Sequence, residues 1–219
     1  MLTTHRRMAA AFLLAAVTFS ASGCSSDSDG GSSSDKIAGA GEGESGAPTP
    51  SASLSAEQNA PSFDFPSGIK VSVENRPTGD ATKDTILRDT AYAAQARVEA
   101  FAKSESRTAN MNRYFAANAL SFWGGRVEAF KKDGLTVTGD YRYYDFEVTD
   151  VADGQAAVRY CEDQSKAYNK EIKTNKVQRT QPSDKSFLLY TAQVARGSAG
   201  DWQVTQQGWE KGDPACVQR

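Results

Sequence analysis

The chain has 219 residues, with 25 basic and 27 acidic side chains and a formal net charge of −2. Residues 24–68 hold seven acids and one base (Lys36), so residues 69–219 keep 22 basic against 20 acidic side chains and are near neutral. That balance excludes the basic stripe of a nucleic-acid binder, and about 150 residues suit one domain with one core rather than a two-lobed solute receptor.

Arg6 and Arg7 precede a dozen apolar residues, Met8 to Phe19, with no acid before Cys24. A charged start, a short apolar run and small residues after it make a secretory signal. The run is too short for a permanent span, which needs about 20 residues. The surroundings of Arg6-Arg7 do not support a twin-arginine signal. Ala21-Ser22-Gly23-Cys24 resembles the lipobox of bacterial lipoproteins, although Ala21 stands where leucine is commoner. The resemblance implies lipidation of Cys24 and a membrane anchor, since two or three acyl chains at one site hold stably. The alternative is ordinary cleavage with Cys24 left as a free thiol. Residues 1–23 are thus expected to be a lipoprotein signal peptide, and 24–68 a disordered Ser/Gly/Ala/Pro-rich acidic tether. Residues 69–219 are expected to be a single domain.

From about Asp80 the pattern turns helical. Ile86, Leu87, Ala91, Ala94, Val98, Phe101 and Ala102 recur at three- and four-residue steps, with Asp80 or Thr82 as the N-cap. Ser104 to Thr108 interrupts that face. Met111, Phe115, Ala119, Phe122, Trp123, Val127 and Phe130 form a second stripe. Gly124-Gly125 weakens it by about 1 kcal/mol per glycine relative to alanine and marks a kink or a close approach. Gly134 follows as a stop. The period then changes to two through Leu135–Thr138 and Tyr141–Val148, and Asp153-Gly154 supplies a hairpin turn. Gln155–Cys161 pairs back, Thr174-Asn175 makes a turn, and Val177–Thr180 is a short return strand ended by Pro182. Phe187–Val194 and Trp202–Trp209 are the closing strands. Helices followed by antiparallel strands predict an α+β domain with N-terminal helices packed on a curved sheet.

Without Cys24, the cysteines left are Cys161 and Cys216, and an exported compartment favours a bridge between them. The other reading is two unpaired thiols.

The element order resembles the nuclear-transport-factor-2-like (NTF2-like) cone, in its ketosteroid-isomerase-like branch. Gly134–Gly139, Cys161–Lys166, Pro182–Phe187 and Gly200–Val204 are similar to segments of small lipoproteins of uncharacterised function from high-GC Gram-positive bacteria. The likeness covers roughly residues 80–216. It implies the cone fold, a fold that hosts isomerases, cyclases, dehydratases and plain binding modules.

Few chemistries remain open. The single histidine, His5, lies in the signal segment, which leaves the domain without an imidazole for a triad or proton shuttle. No metal-ligand spacing, phosphate loop or dinucleotide fingerprint is present, so no cofactor is expected. A carboxylate with a tyrosine is the remaining catalytic scheme, and no spacing singles out one pair. Residues of a pocket or its rim are expected among Trp123, Tyr141, Tyr143, Asp145, Glu162, Asp163 and Tyr190. The bland reading of each is packing for the aromatics and solvation for the acids. The basic cluster Lys166, Lys170, Lys173, Lys176 and Arg179 reads as a solvated hairpin. The sequence therefore points to a membrane-anchored extracytoplasmic module that binds a protein or a small apolar ligand. An isomerase or cyclase using a carboxylate–tyrosine pair is the rival.

Overall fold

The computed structural model describes residues 59–217, which fall within one compact unit. The signal segment, Cys24 and most of the expected tether lie outside the described residues.

Strand β1, Ile69–Val73, comes first. Helix α1, Ala81–Lys103, opens at Asp80, whose carboxylate accepts from the backbone N–H groups of Thr82 and Lys83 at 2.8 and 3.1 Å. It closes at Ser104, which takes the left-handed conformation. Its buried face is built largely from alanine, with Ile86, Leu87 and Val98, so the helix lies close on the sheet. A short helix α2, Ala109–Tyr114, is capped by Thr108, and α3 runs Ala117–Lys132.

The second helical stripe breaks at Phe115-Ala116, not at Gly124-Gly125. Phe115 is extended and fully buried, and the Ala116 N–H donates to the Val204 carbonyl at 2.9 Å. That bond to a strand edge outweighs continuation of the helix. The glycine pair stays helical, and a Cβ on Gly124 would meet only ordinary contacts with Ser106 and Arg107.

Strands β2 (Leu135–Ala152) and β3 (Gln155–Glu171) form a long hairpin. Asp153 and Gly154 both have positive φ (48° and 74°), as a tight two-residue turn requires. Register shifts at Asp140/Arg142, Tyr144/Glu147 and Val148/Asp150 bend β2. Gly139, at φ 103°, permits close approach there: a Cβ would stand 2.1 Å from the Lys166 carbonyl oxygen. The short strand β4, Val177–Gln178, pairs with β3. Strands β5 (Phe187–Arg196) and β6 (Trp202–Lys211) complete the sheet.

The order is β1-β2-β3-β5-β6, with β4 also on β3; β1 and β6 are the open edges of the path. The architecture is the α+β cone expected, with helices on one face of a curved sheet. Two details differ from expectation. β1 lies parallel to β2, which makes the sheet mixed. The packed chain also begins before Ile69: Phe63 and Phe65 pack against the core, and the Asp64 N–H donates to Glu99 at 2.8 Å. Two aromatics and a buried carboxylate in need of donors draw this stretch onto α1, so 59–68 is structure rather than tether.

The opposite face of the sheet carries a small second cluster. Ordinary alternation along β2 turns Tyr144 away from Tyr143, so both are buried on different sides. Tyr144 packs with Cys161, Cys216, Phe187 and Leu189, and its hydroxyl donates to the Cys216 carbonyl. Cys161 and Cys216 form the disulfide.

Candidate functional site

The helix-facing side of the sheet has an unusual floor for a domain core, because it buries a charged pair. Arg97 on α1 and Glu162 on β3 are 4% and 1% exposed, and Arg97 Nη2 lies 2.8 Å from Glu162 Oε2. Alternation along β3 places Tyr160 and Glu162 inward and Cys161 outward. Small residues at Ala93, Ala94 and Ala100 leave room around the Arg97 side chain.

The pair is closed by neighbours from four strands and one further helix. Tyr143 Oη donates to Glu162 Oε1 at 3.2 Å. Arg97 Nη1 donates to Gln207 Oε1 at 3.3 Å, and that oxygen also accepts from Trp123 Nε1 at 2.8 Å. Gln207 Nε2 donates to Tyr160 Oη at 2.8 Å. The guanidinium lies between two rings, 4.1 Å from the Tyr190 centroid and 4.7 Å from that of Trp123. Tyr160 stacks on Tyr190 on one side and Phe146 on the other.

Burial works against the Arg97 charge, but Tyr190, Tyr160, Glu162 and Tyr143 together outweigh it and hold the guanidinium firmly protonated. Burial, then the Glu162 charge, pushes the Tyr143 phenol well above its ordinary value. Burial does the same to Tyr190 and lifts Tyr160 to about 12, each partly offset by Arg97.

Above this floor is a cavity of about 290 Å³, at the lower end of the range of small-molecule pockets, roughly 300–1,000 Å³. Phe101, Trp123, Phe130, Tyr141, Tyr190 and Trp209 give it aromatic walls, and the exposed Arg126 and Lys211 stand at its rim. Trp123 and Trp209 are 5.3 Å apart, centroid to centroid.

Of the residues singled out from sequence, Trp123, Tyr141, Glu162 and Tyr190 line this cavity, and Tyr143 supports Glu162 from beneath. Asp145 is elsewhere: it is exposed at a bulge, with φ 51°. Asp163 is also elsewhere, in a shallow groove with Lys70 and Lys166, where its carboxylate accepts from the Ser165 N–H at 2.8 Å. Cys161 and Cys216 sit behind the floor, and Cys24 lies outside the described residues. Sequence reasoning missed Arg97, Gln207, Trp209 and Arg126. Arg97 carried a signal, because it falls in phase with Ala93 and Ala100 on the apolar face of α1.

Chemically, the floor is occupied with itself. A general base must offer a free carboxylate to a substrate proton. Protonating Glu162 would remove the charge against which Arg97 is buried, and breaking such a pair costs about 3–5 kcal/mol. The buried phenols stay protonated near neutral pH and act as hydrogen-bond donors, and Tyr143 already spends its proton on Glu162. No group of three or more metal-ligating side chains occurs among the described residues.

No family model and no curated protein matches the chain. Among solved structures, it is similar to the intermembrane-space region of the chloroplast protein ARC6, with 17% identity over 62% of this chain and 99% of that one, at a TM-score of 0.41. It is also similar to a ketosteroid isomerase-like protein from Erwinia carotovora atroseptica, with 17% identity over 58% of this chain and 97% of the other, at a TM-score of 0.38.

Proposed function

We propose that this protein is a non-catalytic binding module, held at the outer face of a membrane by lipid on Cys24, whose cone takes a small, largely apolar ligand. The observation that carries the reading is the self-satisfied floor beneath an aromatic-walled cavity. The aromatic walls supply apolar area, while Glu162 and its donors fix the shape of the pocket and leave no free base. Among the described residues no helix is long and apolar enough to cross a membrane, so in this reading the attachment lies with Cys24.

Native mass spectrometry on the protein purified from its own host's membranes tests the pocket. A reproducible bound small molecule is expected on the native protein and is expected to be lost in Ala167→Trp, which places an indole in the cavity. Native protein without bound mass, and without enhanced fluorescence of added N-phenyl-1-naphthylamine, refutes the reading. Retention of Cys24→Ala in the membrane fraction would refute the anchor. Steroid-like isomerisation that survives purification and disappears in Glu162→Gln would establish the enzyme instead.

A further inference from the structure

Resting on that reading, we infer that the cone's ligand is a small apolar anion of the aromatic-carboxylate kind, with its charge at the rim between Arg126 and Lys211. Glu162 is the one acid among the lining residues, and it is paired with Arg97. The lining therefore carries two further cations with no acid to offset them. Among the described residues neither Arg126 nor Lys211 makes an ion pair. The Arg126 guanidinium lies near ring faces, 5.7 Å from the Trp209 centroid and 6.0 Å from that of Phe122.

Position matters more than the count. Both cations stand where an aromatic-walled cleft opens to water, and its low-dielectric walls focus their field into the mouth. An apolar body lying against the Trp123–Trp209 pair would leave a carboxylate at this level, near solvent and facing both cations. A cationic ligand would meet two like charges, and a neutral one would gain nothing from them. The volume of about 290 Å³ limits the body to one or two rings.

The test is calorimetric titration of 2-naphthoate and of its neutral isostere 2-naphthamide at low salt. The protein is residues 24–219 with Cys24→Ser, which keeps every described residue and omits the expected signal segment and the lipid. Naphthoate is expected to bind about fivefold or more tightly than naphthamide, the scale of one exposed ion pair. The preference should shrink as salt is added. Lys211→Gln, and Arg126→Gln with it, should abolish the preference while leaving naphthamide binding in place. Equal binding of the two compounds, or a preference that survives in the double variant, overturns the inference but leaves the pocket standing. Failure of both compounds to bind refutes the open pocket itself, and the inference with it.

Discussion

Replacing Glu162 with glutamine tests the central feature of the domain. The substitution keeps size and one acceptor, so Tyr143 retains a partner. It also turns an amide donor toward Arg97 Nη2, now 2.8 Å from a carboxylate oxygen. The guanidinium is then buried, charged and unpaired. Removing one partner of a buried pair costs about 3–5 kcal/mol. The cavity of about 290 Å³ beside the pair admits water and softens the penalty, so the lower end, about 3 kcal/mol, is expected. For a domain of this size that corresponds to a fall in Tm of roughly 6–12 °C. Urea denaturation followed by tryptophan fluorescence measures it, with Trp123 as a reporter on the floor. Adding Arg97→Met should recover most of the loss, because the stranded charge has gone; a double-mutant cycle exposes that coupling. A loss below about 1 kcal/mol, or a double variant worse than the sum of the singles, would show that the pair is solvated and that the floor is not what orders the site.

Two further outcomes are expected. Unfolded phenols ionise near pH 10, whereas burial raises Tyr143 and Tyr190 well above that and lifts Tyr144 and Tyr160 to about 12. These groups contribute their full stability below pH 10 and lose it as pH climbs toward 12; their phenolate absorbance should appear only with loss of structure, and titration of all eight tyrosines near pH 10 in folded protein would refute this. Cys161→Ser with Cys216→Ser should lower the unfolding free energy by about 4 kcal/mol, the chain-entropy value for a bridge spanning 55 residues, and a denaturation midpoint unmoved by the substitution would contradict it.

How much could be read from the sequence depends on whether a signal is local. Helix α1 was legible because its apolar steps and its Asp80 cap are local, and so was the β2–β3 hairpin because Asp153-Gly154 is a turn with a mechanism. β1 was not legible. Five residues with two polar positions carry little signal, and the strand exists because the edge of β2 offers partners about 70 residues away. The break at Phe115 was hidden for the same reason, since its cause is the Val204 carbonyl of a distant strand. In the site, Glu162 and the tyrosines stood out as candidates, but nothing in their spacing could pair Glu162 with Arg97, 65 residues earlier. Asp145 and Asp163 looked equivalent to Glu162 in composition. Bulges in β2 and the inward–outward alternation of β3 separate them, and register irregularities leave no mark that one sequence can show.

On the proposed reading, the separation of floor from rim lets the domain hold its shape while the rim sets what the cavity accepts. Arg97, Glu162, Tyr143, Tyr160 and Gln207 consume one another's hydrogen-bonding capacity, so a ligand meets walls already in place and pays little to order them. The same closure withholds the free carboxylate that proton transfer needs. Changes at the floor must therefore appear first as lost stability, because they strand a buried polar group. Arg126 and Lys211 have no such duty. They are exposed, and among the described residues they make no ion pair, so their replacement alters the charge at the mouth without disturbing the core. On the proposed reading a change of ligand class is therefore a change at the rim, because a change at the floor strands a buried charge whatever the cone binds.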